Sequence, residues 1–349
     1  MPHEIIDSHI HLFTASDLPH LSWMTPSNSL NAPHSVAEYT VACDTALTDG
    51  SDTSAASPDR TSIAGFIFVE TDRAYTLPLE ATEECLSQPL AELRFAAALE
   101  GCLAVVPFAP VTLGRDGMEK WWTMVAESDR KRVCGVRYLF QDKPAGTMLP
   151  ANVEQGVKWV LEKGLAFDLG VDFHRGGEWQ KHEALRMLKG VFEGASDKGG
   201  WIVLNHMGKP DMTIPSEAAT SHPTFIAWKA HLTRIAAFPR VAVKMSGVFS
   251  ELDTSAGMWE PETLEQQVLP WVTAVFEIFG ADRVMWASDW PVCNIGYGGK
   301  EGAHPQYAWS CWRQATFGIL GRLVARKKLT EKEAKDVWGA VARKVYRLT

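Results

Sequence analysis

Three histidines and a carboxylate carry the strongest chemical signal in this chain. His9 and His11 sit two residues apart in Asp7-Ser8-His9-Ile10-His11, just after an apolar run. A β-strand sends alternate side chains to one face, so the two imidazoles point together. His206 closes Trp201-Ile202-Val203-Leu204-Asn205-His206, and Asp289 closes Arg283-Val284-Met285-Trp286-Ala287-Ser288-Asp289. Imidazoles beside a carboxylate can hold a divalent metal or activate a water for attack on a carbonyl. Each also has a plainer use: a histidine can be a satisfied core residue, and Asp289 could cap the turn before Pro291. What decides between these uses is whether the residues meet.

The segments that carry them repeat in a rhythm. Eight short apolar runs read as buried strands: Ile5–His9, Ile63–Val69, Cys102–Pro107, Val133–Tyr138, Ala166–Phe173, Trp201–His206, Val241–Ser246 and Arg283–Asp289. Helix-compatible stretches separate most of them. Asn152–Lys163 places Val153, Val157, Val160 and Leu161 on one face; Glu178–Glu193, Thr224–Ala237 and Pro261–Phe279 follow. The tail Thr330–Arg347 has a helix signature, with Thr330 and Glu333 spaced for a capping box. Strands alternating with helices form parallel βαβ units, and continuous apolar strands are those of a parallel sheet covered on both faces. Eight units in 349 residues predict an α/β fold, the (β/α)8 TIM barrel. An open doubly wound sheet ranks lower, because no glycine-rich G-x-G-x-x-G turn follows the first strand. One domain spans 1–349, with a polar, flexible insertion at Thr45–Ser62 between the first two strands.

In such a barrel, chemistry gathers at the carboxyl ends of the strands. His9 and His11 close the first run, Glu70 follows the second, and Arg137 lies in the fourth. Asp172 and His174 end the fifth, His206 the sixth, Lys244 and Ser246 the seventh, and Asp289 the eighth. Arg137 suits a substrate carboxylate or hydroxyl, its planar fork matching the former. Glu70, His174 and Lys244 are candidate substrate contacts, with structural ion pairing as the alternative. Trp23 and Trp290, with Trp179 and Trp259, could stack on a ring; most large aromatics are core.

These motifs carry a resemblance. Asp7-Ser8-His9-Ile10-His11, Gly135-Val136-Arg137, Leu204-Asn205-His206-Met207-Gly208-Lys209-Pro210, Val243-Lys244-Met245-Ser246-Gly247 and Met285-Trp286-Ala287-Ser288-Asp289-Trp290-Pro291 resemble the amidohydrolase superfamily. Within it they resemble the amidohydrolase-2 branch that contains sugar-acid lactonases and 2-pyrone-4,6-dicarboxylate lactonase. The resemblance runs from residue 5 to about residue 291. It implies hydrolysis of a lactone ring, such as an L-rhamnono- or L-fucono-lactone, with Asp289 as general base and His206 and Arg137 as catalytic partners. It also implies one divalent metal, Zn²⁺, on His9, His11 and Asp289. The branch includes metal-free members as well, in which the histidines would act as oxyanion donors. No lysine stands at the fourth strand to bridge two metals; Arg137 is the nearest basic residue. The rival readings are a metal-dependent decarboxylase of an aromatic or dienoic acid, with His174 a ligand, and a metabolite-binding barrel without turnover.

Composition is that of a globular chain. The chain is 46% hydrophobic and 22% charged, with a net charge of −8 and a pI near 5.8. Its densest basic cluster, Arg326-Lys327-Lys328, is followed at once by Glu331 and Glu333, so nucleic acid is not an expected partner. No apolar run reaches the length of a membrane span, and no secretory signal is evident. Six cysteines without a C-x-x-C pair read as reduced, mostly buried thiols of a cytoplasmic protein. A homo-oligomer is compatible with this composition.

Overall fold

The computed structural model describes residues 4–44, 62–194, 198–253, 259–297 and 307–348. The insertion expected at 45–62 lies outside them, apart from Ser62, which opens the second strand.

Eight parallel strands follow one another in chain order: β1 (Glu4–Ile10), β2 (Ser62–Val69), β3 (Cys102–Val106), β4 (Gly135–Leu139), β5 (Ala166–Gly170), β6 (Ile202–Leu204), β7 (Val241–Met245) and β8 (Val284–Trp286). Regular ladders join β1-β2-β3 and β4-β5-β6-β7-β8. Isolated parallel bridges close both seams: Val105 with Val133 and Phe108 with Arg137 between β3 and β4, and Ile10 with Trp290 between β8 and β1. The β8–β1 seam carries Asp289 N–H to His9 O (3.0 Å) and His11 N–H to Trp290 O (2.7 Å). The ring is the (β/α)8 barrel that the strand rhythm predicts.

Alternation along each strand separates two cores. Ile6, Ile67, Val69, Ala104, Val106, Ala166, Val203, Ala242 and Met285 meet inside the barrel, while their neighbours Ile5, Phe66, Phe68, Phe167, Val241 and Val243 pack outward under the helices. On β1, Ile6 faces inward, so strict alternation would put Ser8 and Ile10 inside as well. A register irregularity between Asp7 and Ile10 reverses that parity. Ile10 joins the outer core, and His9 and His11 turn to the barrel mouth.

β6 and β8 are shorter than the apolar runs suggest. Each run ends in a residue with positive φ, +51° at His206 and +65° at Asp289, which no strand accommodates. The helices lie close to expectation at Ala151–Glu162, Glu178–Phe192, Pro223–Ala236 and Pro261–Phe279. The tail differs. The Thr330–Glu333 capping box forms, but the helix stops at Asp336 and a second runs Ala340–Tyr346. The break serves the barrel floor: Trp338 O accepts from Ile6 N–H (2.8 Å) and Val337 O from Trp286 N–H (3.0 Å). A continuous helix would have spent those carbonyls internally. The second helix then inserts Val341, Val345 and Tyr346 into the inner core.

The cysteines are free, five buried and Cys134 partly so. No helix among the described residues is long and apolar enough to cross a membrane.

Candidate active site

The strand ends bring the four residues of the sequence signal to one point. Asp289 Oδ1 lies 3.5 Å from His11 Nε2, 3.6 Å from His9 Nε2 and 3.8 Å from His206 Nε2. His9 and His11 approach at 3.1 Å through their Nε2 atoms. All four are buried, between 0% and 8% exposed, so their charge states respond to burial as well as to each other.

Each side chain is held from behind, and for His11 the partner assigns the tautomer. His11 Nδ1 lies 2.9 Å from Val69 O, a carbonyl that can only accept, so His11 carries its proton at Nδ1 and turns a bare Nε2 to the mouth. His206 Nδ1 meets Ser246 Oγ at 2.9 Å. His206 to Lys209 form an unbroken left-handed turn, with φ of +51°, +54°, +70° and +51°. Backbone held this way costs about 1–3 kcal/mol at each non-glycine position and persists only where surrounding contacts enforce it. Gly247 is one such contact: a Cβ there would lie 2.7 Å from His206 Cγ.

Asp7 ties the two seam strands beneath Asp289. Its carboxylate accepts from Ser288 N–H (2.9 Å), Tyr39 Oη–H (3.0 Å) and Trp309 Nε1–H (3.0 Å). Burial raises its pKa against those lowering bonds.

Electrostatics prepare the site for water activation. Burial pushes the His206 imidazole down to about 3. Burial, and next the Lys244 charge, hold His9 well below the ordinary imidazole range. Both rings are neutral at pH 7. Burial alone would raise Asp289, but the facing His206 and His11, with Lys209, outweigh it and hold the carboxyl below its ordinary value. The result is an ionised Asp289 carboxylate beside two neutral rings, His9 and His206.

The mouth opens into a cavity of about 330 Å³ whose wall includes His11, Arg137, His206 and Asp289, together with Trp23 and Lys209. Among the described residues, the group that could hold a metal is His9, His206 and Asp289, with donor atoms within 4.8 Å of one another. The sequence reading has His11 where this group has His206. Two imidazole nitrogens and a carboxylate oxygen suit Zn²⁺, and three protein ligands leave a position for water.

The pattern of the amidohydrolase-2 family, described as amidohydrolase, matches residues 6–348. The chain belongs to this family. An L-rhamnono-gamma-lactonase of Scheffersomyces stipitis is 29% identical over 317 residues, 85% of this chain and 88% of the relative. An L-fucono-1,5-lactonase of Burkholderia multivorans is 26% identical over 226 residues, 64% and 66% of the two chains. Among solved structures, an amidohydrolase from Burkholderia multivorans with bound zinc superposes with a TM-score of 0.70 at 21% identity, covering 99% of this chain and 100% of that one. That likeness supports the family's fold.

Other residues singled out in the sequence take different places. Glu70 lies behind Arg137, not on the cavity wall: Arg137 Nε donates to its Oε1 (2.5 Å), and its Oε2 accepts from Asp72 N–H (2.5 Å). Lys244, fully buried, points under His9, with Nζ 3.2 Å from His9 Nδ1. Trp290 is 3% exposed and packs edge-on against His34 and Tyr39. Trp23 does line the cavity, its Nε1–H donating to Thr71 O (2.8 Å). His174 stands apart from the three imidazoles, 3.5 Å from Asp211 and 3.9 Å from Glu251.

Sequence reasoning passed over Asn205, just before the left-handed turn, and Lys209, its last residue; both line the cavity. Asn205 is 1% exposed, and its amide has no hydrogen-bond partner among the described residues. Both sit in the quoted Leu204–Pro210 motif, so the signal was proximity to His206. Asp168 was missed too; a carboxylate in the middle of the buried run Ala166-Phe167-Asp168-Leu169 is a signal in itself.

Proposed function

We propose that this protein hydrolyses the lactone ring of a sugar acid, of the L-rhamnono- or L-fucono-lactone kind, with a small molecule as its partner. The observation that carries the reading is Asp289 Oδ1 facing three imidazoles at 3.5–3.8 Å in a buried mouth. The lactonase names of two relatives support the substrate class.

Asp289, ionised, takes a proton from water as the oxygen attacks the ring carbonyl. His206, on the cavity wall with Ser246 Oγ at its Nδ1, donates from Nε2 to the developing oxyanion; a donor fixed before the reaction costs no reorganisation. The tetrahedral intermediate collapses, the C–O bond to the ring oxygen breaks, and the alkoxide recovers the proton from Asp289. Lactone and water become an open hydroxy acid. Arg137, fixed by Glu70, binds ring hydroxyls or the product carboxylate. Asn205 and Lys209 extend the polar wall that a polyhydroxylated ring requires. A Zn²⁺ held by His9, His206 and Asp289 would polarise the carbonyl and lower the pKa of a bound water.

A panel of aldonolactones and aromatic lactones, read with a pH indicator, tests this reading. Acid release from an aldonolactone is the expected result. Release of carbon dioxide from an aromatic or dienoic acid, with no lactone opened, would overturn it.

A further inference from the structure

Lys244 and Asp168 form an ion pair inside the barrel, next to an inner core that Ile6, Ile67, Ala104, Val203 and Met285 make apolar. Lys244 Nζ lies 2.6 Å from Asp168 Oδ2, and both are 0% exposed. Tyr346, from the helix that plugs the floor, donates to Asp168 Oδ1 at 2.6 Å, and its ring lies 5.3 Å from Nζ. Burying two charges is expensive and contributes little net stability, so apolar residues of similar volume would serve the core equally well.

The pair's remaining contact explains it. Lys244 Nζ lies 3.2 Å from His9 Nδ1. An ammonium is only a donor, so His9 Nδ1 must accept. At the other end, Val69 O is only an acceptor, so His11 Nδ1 must donate. The two Nε2 atoms between them, 3.1 Å apart, then have one consistent order: His9 Nε2 carries the proton and His11 Nε2 receives it. Both ends of the chain Tyr346–Asp168–Lys244–His9–His11–Val69 impose the same direction.

We infer that Lys244, anchored by Asp168 and Tyr346, is a positioning residue that locks His9 in its Nε2-protonated tautomer, fixing its one N–H on His11 Nε2 beside Asp289 and opposing its use as a metal ligand. Ligation through Nε2 requires the proton to move to Nδ1, where it would face the Lys244 ammonium. The low basicity of the buried His9 ring agrees, since a neutral imidazole has one proton to place. The effect on turnover rests on the proposed lactonase reading; the tautomer does not.

The test is ¹⁵N NMR of histidine-labelled protein, free of metal, with Zn²⁺ titration by calorimetry. Wild type should show His9 protonated at Nε2. Lys244→Met should shift His9 toward Nδ1 protonation, raise Zn²⁺ affinity at least tenfold, and lower kcat about 100-fold with KM within about threefold. Because that variant orphans the Asp168 charge, Lys244→Met with Asp168→Asn provides a neutral core giving the same readouts. Lys244→Arg, which keeps a cationic donor, should keep the wild-type tautomer. Nδ1 protonation in wild type, or unchanged tautomer and Zn²⁺ affinity in both Lys244→Met proteins, overturns the inference. A wild type with the Nε2 pattern that opens no aldonolactone supports the relay and removes the lactonase reading.

Discussion

Asp289 Oδ1 and His206 Nε2 face each other at 3.8 Å from the ends of β8 and β6, each on a left-handed backbone. Neither strand could deliver its residue by simple extension. The strained turns lift both side chains off the strand ends and into the cavity.

Asp289 is the base of the proposed reaction. Asp289→Asn keeps the shape and removes the proton acceptor, so kcat should fall by about 10²–10⁴-fold with KM little changed. Initial rates on the preferred aldonolactone, with circular dichroism to verify the fold, check this. A variant near wild-type turnover would sink the mechanism.

The pH behaviour has a defined sign. His206 is neutral in the folded protein down to about 3, whereas the unfolded chain binds its proton near 6.5. Between those values the unfolded state holds more protons, so stability should fall as pH drops from about 6.5, by up to about 1.4 kcal/mol per pH unit for this group. Asp289 has the same sense at lower pH: its depressed folded pKa stabilises above the ordinary carboxylate value and that contribution is lost as pH falls through the folded one. Thermal midpoints from pH 7 to pH 4 should decline, and His206→Asn should flatten the decline.

Arg137 and Glu70 form a buried ion pair, 5% and 1% exposed. Glu70→Gln should destabilise by about 3–5 kcal/mol, because it leaves the guanidinium buried without its counter-charge. Arg137→Lys keeps the charge and loses the fork, so KM should rise about tenfold or more with a smaller change in stability. Urea denaturation and steady-state kinetics separate the two effects.

Asn205 offers a buried amide with no partner among the described residues. Asn205→Ala should raise KM for a hydroxylated lactone, while an unsubstituted lactone of the same ring size should lose much less. Equal loss on both would show that Asn205 is structural.

Gly247 makes room for His206. Gly247→Ala forces a side chain into φ +66° and 2.7 Å from the imidazole. Stability should drop by about 1–3 kcal/mol. Activity should fall even where the protein remains folded, since His206 is displaced; melting curves beside kcat measure both.

Local pattern was enough for the barrel and for the core of its site. Apolar runs set the strands, helical spacing set the intervening helices, and chain order set the ring, because parallel strands with helical crossovers have few other ways to bury both faces. That rule also puts His9, His11, His206 and Asp289 at one rim. Arg137 was legible because it is a charge in a buried run.

What side chains do once inside depended on contacts between residues far apart in the chain. Glu70 and Lys244 read as substrate contacts by strand position, yet each is spent on a buried partner, Arg137 in one case and Asp168 with His9 in the other. His174 ends a strand like the others but lies with Asp211 and Glu251. The bulge that turns His9 inward is a mismatch between β1 and β2, invisible in either strand alone. The sequence by itself determined the strands, their order and the rim where their carboxyl ends gather, since strand period and order are local properties. Only the tertiary structure decided their tautomers and charge states, because those depend on Val69 O, Ser246 and Lys244, brought to the imidazoles by closure of the barrel.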